Sequence, residues 1–576
     1  MRKLFVILCV IAALLLLTLI ILEVRDAQMP QPEITTTQAA ETTQPPTTEP
    51  PQTTEATEEI PTEPSTEPAT EPVEVKPLFQ PQKTESSDPA NWNTDWDVIV
   101  GSEIQESYTR EDPISFTDND YFALPGVATF RGSNYRTDAS YGTANITQFR
   151  IQKLWSMFVG YVYDPIWTGC GWTGQPLVVQ WDAETKQHMN LYEEKQNKEG
   201  LVEVVYAKMD GKIHFFDMED GTQTRDPINL RYTFKGSGAL DPRGYPLLYV
   251  GSGLKDNDKT PKFFIISLID GSVLYEFSAV DMTTLRWWFA FDSSPLVDVE
   301  TDTLIWPCEN GQLFTIKLNT VYDKENGTIS VDPETPVKTR YSNKYLQQGR
   351  YIGYEASVTA VENYLYIGDN GGSFHCIDVN TMELVWAQDL TDDVNATAAF
   401  DWGEDGRGYL YVGASTDYSK TGEWPMYKLD AQTGEILWEM WFPCTANEAH
   451  VGGVMSSAVI GREGSNIENL LVFTVSDSPK PYNGVMYAVD KNTGEVIWEL
   501  ELGRYSWSSP LSIYTEDRTG YIFQADNDGR CYLIDGLTGK VLTTFDLKDH
   551  VEASPVAFGD RIMIGTRSGI TLLQVT

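Results

Sequence analysis

The sequence predicts an all-β fold: an eight-bladed β-propeller, closed by N- and C-terminal strands and preceded by a transmembrane helix and a disordered stalk. Three observations carry that reading. One turn-centred motif recurs along the chain. A tripeptide of small residues recurs eight times. The last repeat lacks a strand that the beginning of the repeat region can supply.

The motif is clearest in Met426–Trp438 (MYKLDAQTGEILW) and Met486–Trp498 (MYAVDKNTGEVIW). Each reads as a strand, a tight turn on Asp-x-x-Thr-Gly, and a second strand ending in Trp. Gly434 and Gly494 suit a turn position with φ > 0, and an Asp side chain can accept hydrogen bonds from the backbone just ahead of it. Alternation in Ile436/Trp438 and Val496/Trp498 gives each second strand one buried face. Weaker copies stand at 376–386, 533–545, 267–277 and 215–221. A hairpin copied this often predicts a repeat architecture.

The tripeptides open the inner strands. They are Gly174-Gln175-Pro176, Ser237-Gly238-Ala239, Ser293-Ser294-Pro295, Ala356-Ser357-Val358, Ala396-Thr397-Ala398, Ser456-Ser457-Ala458, Ser508-Ser509-Pro510 and Ala553-Ser554-Pro555. A second strand follows, as in LLYVG (247–251), YLYIG (364–368), YLYVG (409–413) and IMIG (562–565). Four strands per unit match propeller blades. The final unit supplies three strands and stops at Thr576. FRIQKLWSMFV (149–159) is the expected fourth, with Trp155 in the place of the hairpin Trp, and its addition removes an open sheet edge.

The organisation before the repeats follows from composition. Residues 1–26 hold Arg2 and Lys3 and then an uncharged apolar run, Leu4–Leu22, long enough to span a bilayer; the positive-inside rule places its N-terminus in the cytoplasm. An uncleaved anchor is the expectation and a cleaved signal the alternative. Residues 27–89 form the stalk: within 27–75 there are Thr, Pro and ten Glu, with no aromatic and no basic residue. Such a segment buries too little apolar surface to offset its ordering entropy. Residues 90–148, with Trp92, Trp96, Tyr108, Phe116, Tyr121 and Phe122, are too aromatic for a linker and are expected to pack on the propeller, which occupies 149–576.

The net charge is −41. A body so acidic repels nucleic acid. The six Cys (9, 170, 308, 376, 444 and 531) show no metal-type spacing and read as small buried hydrophobes. No P-loop, HExxH or GxSxG motif occurs. Asp369-Asn370-Gly371-Gly372 and Asp526-Asn527-Asp528-Gly529 read as hairpin turns rather than calcium loops, having no distal Glu at loop spacing.

The hairpins, together with FRG-x-x-x-R at Phe130–Arg136 and GQPLVV at Gly174–Val179, resemble the PQQ-like (quinoprotein alcohol dehydrogenase-like) eight-bladed β-propeller repeat superfamily over 128–576. The resemblance implies blade-docking roles for Trp155, Trp386, Trp438 and Trp498. In the enzymes of that family it implies a quinone over the central funnel, an adjacent Cys–Cys pair on one face of it, and a Glu/Asn/Asp set around calcium. No two Cys are adjacent in this sequence, and no C-x-x-C-H haem motif is present.

The residue before each tripeptide should face the funnel mouth: Thr173, Gly236, Asp292, Glu355, Asn395, Met455, Trp507 and Glu552. Trp172, Trp287 and His450 are expected beside them, with Trp288, Arg286, Arg350, Tyr354 and Arg504 as neighbours. Asp292, Glu355, Asn395 and Glu552 could bind Ca²⁺ through oxygen; the plainer reading is that they satisfy turn backbone. No catalytic residue is assigned. The expected function is a non-enzymatic, extracytoplasmic binding or scaffold protein without a cofactor. Its partner would be a cell-envelope protein, a peptide or a wall component, and it would be held in the cell membrane by a single pass through residues 4–22. The alternatives are a PQQ-dependent dehydrogenase with Ca²⁺ in the funnel, and a ligand-sensing ectodomain.

Overall fold

The computed structural model describes residues 79–116, 121–159, 174–253, 260–416, 421–445 and 451–576. The anchor at Leu4–Leu22 and residues 27–78 of the stalk lie outside them; residues 79–89, expected as disordered stalk, instead pack on the propeller, where Phe79 is buried and the Ser87 hydroxyl donates to the Thr433 carbonyl. Among the described residues, no helix is long and apolar enough to cross a membrane. These residues build eight blades, each with an antiparallel meander at its heart.

The turn chemistry anticipated from sequence makes the outer hairpins of the fifth, sixth and seventh blades. Asp430 Oδ1 accepts from the amides of Gln432 (2.8 Å) and Thr433 (3.0 Å), and the Gly434 amide bonds back to the Asp430 carbonyl (2.8 Å). Asp490 does the same for Asn492 and Thr493, and Asp535 for Thr538. The glycine closing each turn is left-handed, with φ of +70° at Gly434, +75° at Gly494 and +71° at Gly539. A bulge follows in each case, between Lys428/Leu429, Ala488/Val489 and Leu533/Ile534, and it turns the outer strand toward the next blade.

Those glycines also receive the tryptophans. The indole of each motif Trp donates to the next blade's turn: Trp386 to the Ala431 carbonyl (3.2 Å), Trp438 to Lys491 (3.3 Å) and Trp498 to Gly536 (3.0 Å). Trp155 donates to Met218 (3.1 Å) in the same way, across the closure of the ring. Each ring lies on a turn glycine. A Cβ on Gly434 would meet Trp386 at 2.7 Å, and one on Gly539 would meet Trp498 at 2.6 Å. The Thr-Gly and the Trp of the motif are therefore the two halves of one joint between neighbouring blades.

The inner strands are joined by hydroxyls. The amide of each middle tripeptide residue donates to the side chain of the next: Ser294 to Ser357 (2.8 Å), Ser357 to Thr397 (3.0 Å), Thr397 to Ser457, Ser457 to Ser509 and Ser509 to Ser554 (3.1 Å each). The eighth blade closes as expected, with Ile151–Phe158 antiparallel to Gly569–Val575.

Residues 126–141 seal one end of the axis by reaching every blade. Gly126–Val127 pairs with Val178–Val179 of the first blade. The carbonyls of Ala128, Asn134, Tyr135 and Ala139 accept from Leu240, Ala360, Phe400 and Ala557, in the second, fourth, fifth and eighth blades. Arg136 donates to the carbonyls of Ser294 (3.2 Å) and Val358 (2.8 Å), while Arg131 donates to those of Pro510 (2.6 Å) and Ala458 (3.1 Å). Both guanidiniums are fully buried, and burial lowers their pKa to about 10. The FRG-x-x-x-R motif is thus a plug: it supplies N–H donors to inner-strand carbonyls that no neighbouring strand can reach.

The extension adds a feature the sequence did not disclose. Asp95–Val100 pairs with the outer strand Val337–Ser342, and Glu103–Gln105 pairs with it in turn, so the third blade has six strands. Phe79 packs against Tyr364, Phe400 and Trp402 on the fourth and fifth blades.

Candidate functional site

All eight blades line one axial cavity, floored by Phe130 of the plug. Asp292, Glu355, Asn395, Met455 and Trp507 stand in its wall, with Gly236 and the tripeptide hydroxyls of Ser357, Thr397, Ser457, Ser509 and Ser554. Far-apart segments converge here because each stands one residue before its blade's tripeptide. The cavity measures about 60 Å³. That is room for a few waters, against the roughly 300–1,000 Å³ of sites that bury a drug-sized ligand.

Glu552 is a correction. It occupies the same repeat position but does not line the cavity. Its carboxylate is buried and paired with Arg567, which reaches Oε2 at 3.1 Å and also bonds Oε1. A buried carboxylate turns to the nearest cation, and Arg567 sits in the adjacent turn of the same blade. Trp287 is exposed rather than in the wall, as is Trp288. Arg350 bonds the carbonyls of Gly371 and Thr391, Tyr354 is buried against His375, and Arg504 pairs with Asp528. Trp172, Thr173 and His450 lie outside the described residues.

Two charged groups missed by sequence reading complete the site. Glu309 is fully buried, and oxygens of Asp292, Glu309 and Glu355 lie within 4.8 Å of one another. Glu309 holds the turn position that Asn370 and Asn527 hold in other blades, and Cys308 stands where those blades carry Asp369 and Asp526. Asp369 Oδ1 accepts from the amides of Gly371, Gly372 and Ser373, as a turn-capping Asp should. With Cys308 in the capping position, Asn310 Oδ1 caps Gln312 instead, and Glu309 approaches Arg286 at 3.4 Å. A Glu where two other blades carry Asn was the available signal. Burial, then the Glu355 and Asp292 carboxylates, hold the Glu309 carboxyl well above the usual range.

The second group is Lys235, one residue before Gly236. Its ammonium bonds Asp292 Oδ2 and lies 3.6 Å from Glu355 Oε1. Burial opposes its charge, but Asp292, Glu355 and Glu309 outweigh burial and raise its pKa. Asn370 bridges the set, accepting from Arg286 (2.7 Å) and donating to Asp393 (3.1 Å) and Glu355 (3.4 Å). Asn395 donates to Asp393 at 2.6 Å.

Comparison with known proteins bears on the fold. A family model described as "Outer membrane protein assembly factor BamB" matches residues 292–464 and 482–575. The quinohemoprotein alcohol dehydrogenase of Comamonas testosteroni superposes with a TM-score of 0.51 at 13% identity, over 78% of this chain and 80% of that one. The enzyme ADHIIG of Pseudomonas putida HK5 superposes with a TM-score of 0.51 at 13% identity, over 81% of this chain and 83% of the other. This chain has the eight-bladed β-propeller fold, with PQQ-like repeats. BamB from Moraxella catarrhalis is also similar to it, at 15% identity and a TM-score of 0.43, over 74% of this chain and 98% of that one. No curated protein matches the PQQ-like propeller in sequence.

The groups implied by the family resemblance can be tried against the site. A quinone finds about 60 Å³ at the centre of the described residues and no adjacent Cys pair; Cys308, Cys376, Cys444 and Cys531 are each free and buried in separate blades. A calcium ion finds Asp292 Oδ2 already engaged by Lys235 and Glu355 facing the same ammonium at 3.6 Å, although Asp292 Oδ1 and Glu309 Oε1 are buried without a hydrogen-bond partner among the described residues. Neither group fits the residues as they stand.

Proposed function

We propose that this protein is a non-enzymatic binding scaffold, displayed outside the cytoplasm by its anchor and acidic stalk, that recognises an envelope protein, a peptide or a wall component through a propeller face. The observation that carries this reading is the loop entering the third blade. Val280, Met282, Leu285, Trp287 and Trp288 are exposed along it, Met282 by 83% and Trp287 by 63%. Large apolar side chains held in water along one short stretch mark interaction sites, and Trp dominates the energetics of such sites.

The backbone beneath them is fixed. Asp281 caps Thr283 (2.7 Å) and pairs with Lys338, Gln312 reaches the Thr283 hydroxyl (3.2 Å), and Asn310 donates to the Ala279 carbonyl (3.0 Å). A preorganised loop loses little entropy when a partner docks. The reading is tested by photo-crosslinking from position 282 in intact cells. Crosslinks to one envelope component that disappear in Trp287→Ala/Trp288→Ala support it. Dye-linked alcohol oxidation by the purified protein with added quinone and Ca²⁺ would overturn it.

A further inference from the structure

We propose that Lys235 is the resident cation of the funnel, so that the axial carboxylates are neutralised by the chain itself and not by a metal. Oxygens of Asp292, Glu355 and the Glu309 carboxyl lie within 4.8 Å of one another, and the ionised members repel and require a counter-charge. The chain supplies it from two sides. Lys235 enters from the second blade and bonds Asp292 while facing Glu355, and Arg286 enters from the third-blade loop and faces Glu309. Lys235 is nearly enclosed, its side chain 11% exposed. An ammonium is a compact point charge with three donors on a flexible stem, able to sit among carboxylate oxygens much as a small hard cation would.

Occupancy by an ammonium also has a consequence that a metal would not. It is covalently tethered, so chelators cannot remove it and divalent cations must displace it to bind. Removing the amine should leave Asp292, Glu309 and Glu355 as an oxygen set without its main counter-ion, which is a site for a hard divalent or trivalent cation.

The experiment compares the wild-type protein with Lys235→Ala and Lys235→Met, the latter keeping the stem that packs beside Gly253. Tb³⁺ luminescence, sensitised by nearby Trp507, and melting with and without Ca²⁺ are the readouts. The expected result is at least tenfold tighter Tb³⁺ binding in the Lys235 variants, a Ca²⁺-dependent rise in their melting temperature that wild type lacks, and loss of both gains on adding Asp292→Asn. Equal Tb³⁺ affinity in wild type and the folded Lys235→Met protein overturns the proposal. So does a gained site that survives Asp292→Asn, because the bound ion would then be elsewhere on an acidic surface. Neither outcome depends on whether the exposed tryptophans dock a partner.

Discussion

The joint between blades can be dissected with two glycines. Gly539 and Gly406 share a left-handed backbone, φ +71° and +74°. They differ in what a side chain would meet: nothing within 4 Å at Gly406, and the Trp498 ring at 2.6 Å at Gly539. Gly406→Ala therefore reports the conformational cost alone, about 1–2 kcal/mol. Gly539→Ala adds the displacement of a packed indole, about 1–3 kcal/mol by the usual cost of overpacking. It should also weaken the 3.0 Å bond from Trp498 to the Gly536 carbonyl. Trp498→Ala alone should cost about 3–5 kcal/mol. Once the ring is gone the Cβ clash is gone too, so the double variant should be more stable than the sum of the singles by about 1–3 kcal/mol. Urea denaturation followed by far-ultraviolet circular dichroism measures all four proteins. If Gly539→Ala matches Gly406→Ala, or if the double variant is additive, Trp498 and Gly539 do not form a joint and the reading of the motif as two halves of one contact is wrong.

Two further outcomes follow from buried charges. Arg131→Met should destabilise by about 2–5 kcal/mol, because the carbonyls of Pro510 and Ala458 lose donors. Arg131→Lys should not restore the loss, since a single ammonium cannot span both blades; hydrogen exchange in the inner strands of the sixth and seventh blades checks this, and unchanged protection refutes it. Glu309→Gln should stabilise the protein in a pH-dependent way. A carboxyl raised by burial keeps a proton in the folded chain that the unfolded chain has already released, so wild type loses stability as pH climbs from about 4.3 toward the folded value. Gln is neutral throughout, so its advantage should be present at pH 7 and shrink to a constant offset at pH 4, read by melting temperature. An advantage that does not vary with pH counts against a perturbed Glu309.

What could be read from sequence was whatever local chemistry decides. Asp430, Gly434 and Trp438 write their own hairpin within thirteen residues, and copying it along the chain declares a ring. The funnel wall at Asp292, Glu355, Asn395 and Trp507 was legible for the same reason, being one fixed step from each tripeptide. Glu552 broke the rule because repeat position fixes where a Cα lies and not where a carboxylate turns. Arg567, fifteen residues on, decided that. The plug could not be read, since Arg131 and Arg136 have no periodicity and their partners are carbonyls up to 379 residues away in the chain. Lys235 was hidden by its commonness: a lysine beside a glycine looks like a solvated loop until three carboxylates are found around its amine.

The axis of this propeller is filled from within, by Phe130 at its floor, by a ladder of hydroxyls along its wall and by Lys235 among its carboxylates. Arg286 links that interior to the surface. Inward, its guanidinium meets Asn370 at 2.7 Å, the Ile352 carbonyl at 3.0 Å and Glu309 at 3.4 Å. Outward, the next two residues are the exposed Trp287 and Trp288. A guanidinium with three inward contacts restrains the chain at the following residues, so Arg286 ties the presentation of the exposed tryptophans to the funnel interior.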